Sequence, residues 1–212
     1  MPERKYLGKI ILLILLSLLV WTFIICFPNP YVFVRNIYRY FRPPIDPSII
    51  KIIQTEIPDN PSEIHRFVLK TIKYKYDWEN YGVPDYVSTA RQAVEKRSGD
   101  CEDRAVVLAS LLDAKNIQYE FKASLTHYWV DYPGKKVSRI ENRDVQIFSK
   151  KDGKYRIKLP DMAKWKHYIQ ATKKGIWDVM PKIRKILMLS GWLLIPSIFI
   201  VLEIIKRRKT VN

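Results

Sequence analysis

Two long apolar stretches frame this 212-residue chain, and they leave only the residues between them for a folded domain. Ile10 to Phe27 is free of charge, and Ile186 to Leu202 is free of charge up to Glu203. Either run is long enough to cross a bilayer core of roughly 30 Å as a helix. The competing readings are a cleavable signal peptide for the first and a buried core helix for the second. The first lacks a small-residue cleavage site before Pro28, and the second has basic flanks. Boundaries follow: residues 1–9 a tail, 10–28 a first span, 29–59 a linker and short helix, and 60–160 the domain. A basic juxtamembrane helix over 161–182, a second span over 183–205 and a tail over 206–212 complete the chain.

Arg4, Lys5 and Lys9 precede the first span and Lys206-Arg207-Arg208-Lys209 follows the second. The positive-inside rule therefore predicts both termini in the cytoplasm and the domain outside. Residues 29–182 carry 28 Lys and Arg against 19 Asp and Glu, a net of +9 that suits lipid headgroups or an acidic surface polymer. No nucleic-acid reading motif accompanies the charge, so nucleic acid is not expected as a partner. Metal-ligand clusters, phosphate loops and nucleotide fingerprints are absent from the sequence, which predicts no cofactor.

Between the first span and the domain, Pro43-Pro44 and Pro47 predict a stiff linker, and Tyr31 to Phe41 has the aromatics and arginines of a membrane interface. Asn60-Pro61-Ser62-Glu63 starts a helix with Ile64, Phe67, Val68, Thr71 and Ile72 on one face. A second helix runs from about Ser88 to Lys96. A third runs from Cys101 to about Lys115, with Cys101, Ala105, Leu108 and Leu112 as a stripe and Val107, Leu111 and Ala114 beside it. Asp100 is its natural N-cap and Asp103 sits where a carboxylate favours the helix dipole. Strands are predicted over 117–124 and 127–132, then a turn at Pro133-Gly134-Lys135-Lys136 with a return strand from about Val137. A second hairpin turns at Lys151-Asp152-Gly153-Lys154. Asp161 to Pro181 reads as a basic, Trp-containing helix.

Cys101 is the one thiol outside the apolar stretches, since Cys26 lies at the end of the first. A helix N-terminus lowers a thiol pKa, whereas Asp100, Glu102 and Asp103 raise it, so the site needs an imidazole as ion-pair partner and proton carrier. His127 is the candidate, at the entry of a strand on the same face as Trp129 and Asp131. Asp131 lies about 13 Å along the strand from His127, too far to orient the ring. A symmetric turn about Gly134-Lys135 sets Asn142 opposite His127, with Asp144 diagonal and Glu141 reachable through a bulge; the third member is ranked in that order. On spacing alone an inert buried thiol remains as good a reading of Cys101 as a catalytic one. His65 and His167 read as surface and interfacial histidines. Trp78, Tyr81 and Tyr86 read as core aromatics or, alternatively, as walls of a cleft.

Tyr81-Gly82, Asp85-Tyr86, Gly99-Asp100-Cys101-Glu102-Asp103-Arg104-Ala105 and His127-Tyr128-Trp129-Val130-Asp131-Tyr132 together resemble the transglutaminase-like superfamily of cysteine enzymes, over roughly residues 60 to 150. The resemblance implies an α+β, papain-like core of helices packed on an antiparallel sheet, here flanked by two transmembrane helices. It implies Cys101 as nucleophile and His127 as general base and acid, with Asn142, Asp144 or Glu141 behind the ring. An oxyanion site would be formed by the Cys101 N–H and a group from residues 78–86. The expected activity is hydrolysis of an extracellular amide or peptide through a thioester, with a peptide, protein or cell-surface polymer as substrate. Cross-linking acyl transfer and a non-catalytic scaffold are the alternatives.

Overall fold

The computed structural model describes residues 2–53, 55–136, 138, 141, 146–151 and 153–211, the side chains of 2–5, 167, 207 and 209–211 excepted. The chain divides into two units, residues 1–32 with 180–212, and residues 33–179.

The first unit is a pair of helices, α1 (Pro2–Cys26) and α8 (Lys182–Val211). Both are long and apolar enough to cross a membrane, over Tyr6–Cys26 and Lys182–Lys206. Hydrogen bonds along their length fix them antiparallel, among them Tyr6 Oη to Glu203 (2.9 Å), Trp21 Nε1 to the Leu187 carbonyl (3.0 Å) and Trp192 Nε1 to Thr22 (3.0 Å). Gly191 lies against the Trp21 indole, where a larger residue would hold the backbones apart. Tyr6 of α1 and Lys206 of α8 therefore lie at the same end of the pair.

The second unit is α+β. In chain order it contains α2 (Pro30–Phe41, from Phe33 onward), a 3₁₀ turn at Pro47–Lys51, α3 (Pro61–Thr71), β1 (Lys73–Tyr74) and α4 (Asp77–Asn80). Then come α5 (Ala90–Lys96), β2 (Ser98–Gly99), α6 (Cys101–Ala114), β3 (Glu120–Ala123), β4 (Tyr128–Asp131), β5 (Phe148–Lys151), β6 (Lys154–Ile157) and α7 (Trp165–Thr172). The last four strands form an antiparallel sheet in the order β4-β3-β5-β6, and β1 and β2 form a short parallel pair.

Asn60 caps α3 by accepting from the Ser62 N–H, and Thr89 and Gln92 form a reciprocal capping box at the start of α5. From Ala105 to Leu112 every residue of α6 is buried, so the helix is enclosed on all sides by α3, α5, the 3₁₀ turn and β4 rather than along one stripe. Asp100 occupies the N-cap position but makes no capping bond with its side chain, contrary to the sequence expectation.

The stretch expected to be a linker is part of the folded unit. Ile49 and Ile57 belong to the hydrophobic core, Asn36 is buried against Asp85, and Arg39 donates to the Val87 carbonyl. Its prolines stiffen a segment that the core then uses as packing surface. The return strand expected after Gly134 falls largely outside the described residues. β4 pairs with β3, and Ser124 N–H donates to the His127 carbonyl (2.8 Å) to close the turn between them. After Gly134 the Glu141 N–H donates to the Ser138 carbonyl (3.2 Å), a turn contact; Val137, where a return strand was expected, lies outside the described residues. The second hairpin forms as β5–β6 around Gly153, whose φ of +75° suits glycine. The basic segment after Asp161 is a helix in pieces: a 3₁₀ turn over Met162–Lys164, α7, and a π-helical turn over Lys173–Asp178.

Candidate active site

Cys101 is placed by the backbone on either side of it. The left-handed Arg97 (φ 53°) ends α5 and turns the chain into β2, which pairs in parallel with β1: Ser98 faces Lys73 and Gly99 faces Tyr74. Lys75 N–H donates to the Gly99 carbonyl at 3.2 Å, and α6 begins two residues later. A β-branched or bulky residue at 99 would strike Asp103, so the bare glycine lets strand and helix meet at this angle.

His127 arrives from the β3–β4 turn. The Tyr128 N–H, the next amide after His127, is directed at the Cys101 sulfur. Cys101 and His127 line the same two cavities, one of about 490 Å³ and one of about 640 Å³, and form part of the wall between them. The His127 ring stacks on Trp129 with ring centres 5.5 Å apart and planes 12° from parallel, as residues two apart on one strand face should.

Behind the ring stands Glu141, ranked last by sequence. Its Oε1 is 3.6 Å from His127 Nε2, an ion-pair distance rather than a hydrogen bond, and 3.0 Å from Lys135 Nζ. Burial alone would raise the Glu141 pKa; the His127 ring and the Lys135 ammonium outweigh it and pull the carboxyl down to about 2. Asn142 and Asp144, ranked above it, lie outside the described residues. Asp131 pairs with Lys122, which agrees with its exclusion on strand geometry.

His65, expected at the surface, is half-buried. Its Nδ1 is 3.0 Å from Tyr132 Oη, and burial lowers its pKa. The His167 side chain lies outside the described residues. Trp78 is a core residue at 3% exposure, with Nε1 donating to the Ile176 carbonyl, and Tyr81 stacks on Tyr86 at 3.9 Å. None of these three lines the smaller cavity; its walls come from Tyr40, Phe41, Tyr74, Tyr76, Tyr128 and Phe148. Sequence reasoning missed Tyr40 and Phe41 because they precede the domain as drawn from sequence.

The acidic neighbours of Cys101 form a buried cluster that sequence reasoning saw only in part. Glu102 lies within 4.8 Å of the carboxyl groups of both Asp85 and Asp100. Asp77 is 2% exposed; its Oδ2 accepts from the Tyr86 N–H while Oδ1 has no donor. Asp103, fully buried, accepts from Ser88 N–H (2.9 Å) and Tyr81 Oη (3.4 Å). Desolvation, followed by mutual repulsion, raises the pKa of Asp77, Asp100 and Glu102. Desolvation and then the charges of Glu102 and Asp100 also hold the Cys101 thiol well above its ordinary value, and its Sγ–H donates to Glu102 Oε2 at 3.0 Å. Arg104, the cation of the motif, turns away to the Ile72 carbonyl.

The cluster sets a pH dependence. A carboxyl whose folded pKa is raised keeps its proton where the unfolded chain has released it, so stability falls as pH rises above about 4. Asp77→Asn keeps an acceptor for Tyr86 and turns an amide donor toward Asp85 and Glu102, which lie within 4.8 Å of it. The variant is expected to be more stable than the parent at pH 8.5 by about 1–3 kcal/mol, with little difference at pH 5. Thermal unfolding by circular dichroism at both pH values measures this; equal losses at the two would refute it.

Compared with protein-family models, with curated proteins and with solved structures, the chain matches none, so the site is read on its own geometry.

Proposed function

We propose that this chain is a membrane-anchored cysteine hydrolase of the transglutaminase-like type, in which Cys101 is the nucleophile and His127 carries the proton. The observation that carries this reading is the meeting of Cys101, His127 and Glu141 at one cavity wall, with Glu141 on His127 Nε2. Nε2 being so placed, Nδ1 is the ring nitrogen left to exchange a proton with the thiol. Attack of the sulfur on an amide carbonyl moves the thiol proton to His127, which passes it to the departing amine as the C–N bond breaks. Water then attacks the thioester, giving a proton to the ring and releasing a carboxylic acid and the free thiol. First-turn N–H groups of α6 have no intrahelical partner and are suited to the oxyanion. The positive tails favour termini in the cytoplasm and the catalytic domain outside.

One observation favours a second reading, a non-catalytic binding domain: the resting thiol is hydrogen bonded to a carboxyl and held protonated. A chromogenic ester separates the two. With p-nitrophenyl acetate the hydrolase releases a burst of about one nitrophenolate per chain and carries one acetyl group on the peptide holding Cys101. No burst, or the same burst in Cys101→Ala, would leave the binding domain standing.

A further inference from the structure

The chain carries a formal net charge of +16, and charge alone directs attention to anionic substrates. The smaller cavity at the thiol contradicts that. Among the described residues, its lining contains three carboxyl groups, Asp85, Asp100 and Glu102, and no lysine or arginine. Asp85 is held by Tyr40 Oη and Asn36 Nδ2, both neutral donors, and Asp100 Oδ1 has no hydrogen-bond donor. Tyr74 and Tyr76, packed edge to face at 5.2 Å, also line the cavity, and the Tyr74 ring already holds the Arg104 guanidinium 5.1 Å from its centre. Buried and half-buried carboxyl groups that form no salt bridge with a described lysine or arginine, beside aromatic rings, are a chemical complement to an ammonium or guanidinium group. On the far side of the Cys101–His127 wall, the larger cavity has Arg66, Arg104 and Lys136 in its lining, so the two sides of the thiol differ in charge.

We infer that the smaller cavity binds a cationic group, an amine or guanidinium of the substrate, and thereby selects amides or peptides that are basic on that side of the bond attacked by Cys101. This rests on the hydrolase reading only for the bond that is cleaved; the cationic subsite stands on the cavity itself. A cation entering the site stabilises the charged form of carboxyl groups that desolvation otherwise holds toward the protonated form. It also offsets the negative field that opposes the thiolate, so the right substrate activates the sulfur that the empty site keeps at rest.

Methanethiosulfonate reagents of similar size but different charge test the subsite on the full chain in detergent, in a Cys26→Ala background so that Cys101 is the reporter. At pH 8 and low salt the trimethylammonium reagent is expected to modify Cys101 roughly tenfold faster than the sulfonate reagent, each rate taken relative to the neutral methyl reagent. Asp85→Asn should reduce that ratio several-fold, Arg66→Gln should not, and added salt should compress it. A ratio near one, a preference for the sulfonate, or a ratio indifferent to Asp85→Asn overturns the proposal; so does a Cys101 that no reagent reaches, since such a cavity admits no substrate. If the ratio holds while His127→Ala leaves the neutral rate unchanged, the hydrolase reading fails and the cationic subsite survives.

Discussion

In the His127→Ala protein, alkylation of Cys101 by iodoacetamide at pH 7 should slow by about 100-fold, the scale of a positioned proton carrier. The expectation follows from the opposition built into α6. Its N-terminus favours a thiolate, yet Glu102 and Asp100 hold the thiol well above its ordinary pKa, and the sulfur already donates to Glu102. With the imidazole gone, the helix end and the Tyr128 N–H remain to favour charge on the sulfur, and neither carries a proton away. Glu102→Gln should act in the opposite direction and speed labelling, because it removes the nearest negative charge. Equal labelling of parent and His127→Ala would sink the claim that the ring activates the thiol. Circular dichroism of each variant separates lost activation from lost fold.

Gly99→Ala should destabilise the protein by about 3 kcal/mol, at the upper end of what overpacking costs, and lower the melting temperature by roughly 6–12 °C. A methyl group at position 99 would lie 2.9 Å from Asp103 Cγ and closer still to its Cβ. Asp103 cannot swing aside without breaking its bonds to the Ser88 N–H and Tyr81 Oη in a fully buried site. The residue itself cannot retreat, because the β1–β2 pairing and the Lys75 bond hold its backbone. Shortening the obstacle tests the mechanism: in an Asp103→Ser background Gly99→Ala should cost clearly less than in the parent. Additive losses would show that the crowding lies elsewhere.

The elements legible in the sequence were those with local causes. Asn60 before Pro61, Thr89 three residues before Gln92, and Gly153 between two polar residues specify two helix starts and a hairpin through contacts within a few residues. The two apolar stretches needed only a count of length. The candidate nucleophile and its histidine could be named because a thiol at a helix start and an imidazole at a strand entry are local placements.

What the tertiary structure decided is everything set by contacts between distant segments. Residues 33–59 read as a linker because proline stiffness is local, whereas their burial depends on a core assembled mainly from later parts of the chain. The pairing of β4 with β3 set the place of His127, and a turn contact between Glu141 and Ser138 goes with the carboxylate that stands behind its ring. Asp100 reads as a cap in isolation, but the fold adds Asp77 and Asp85 to its surroundings and turns a run of three acids into a buried cluster. Net charge is a property of the sequence. The sign of the charge at the thiol is a property of the fold, because it depends on which few carboxyl groups burial gathers around one sulfur atom.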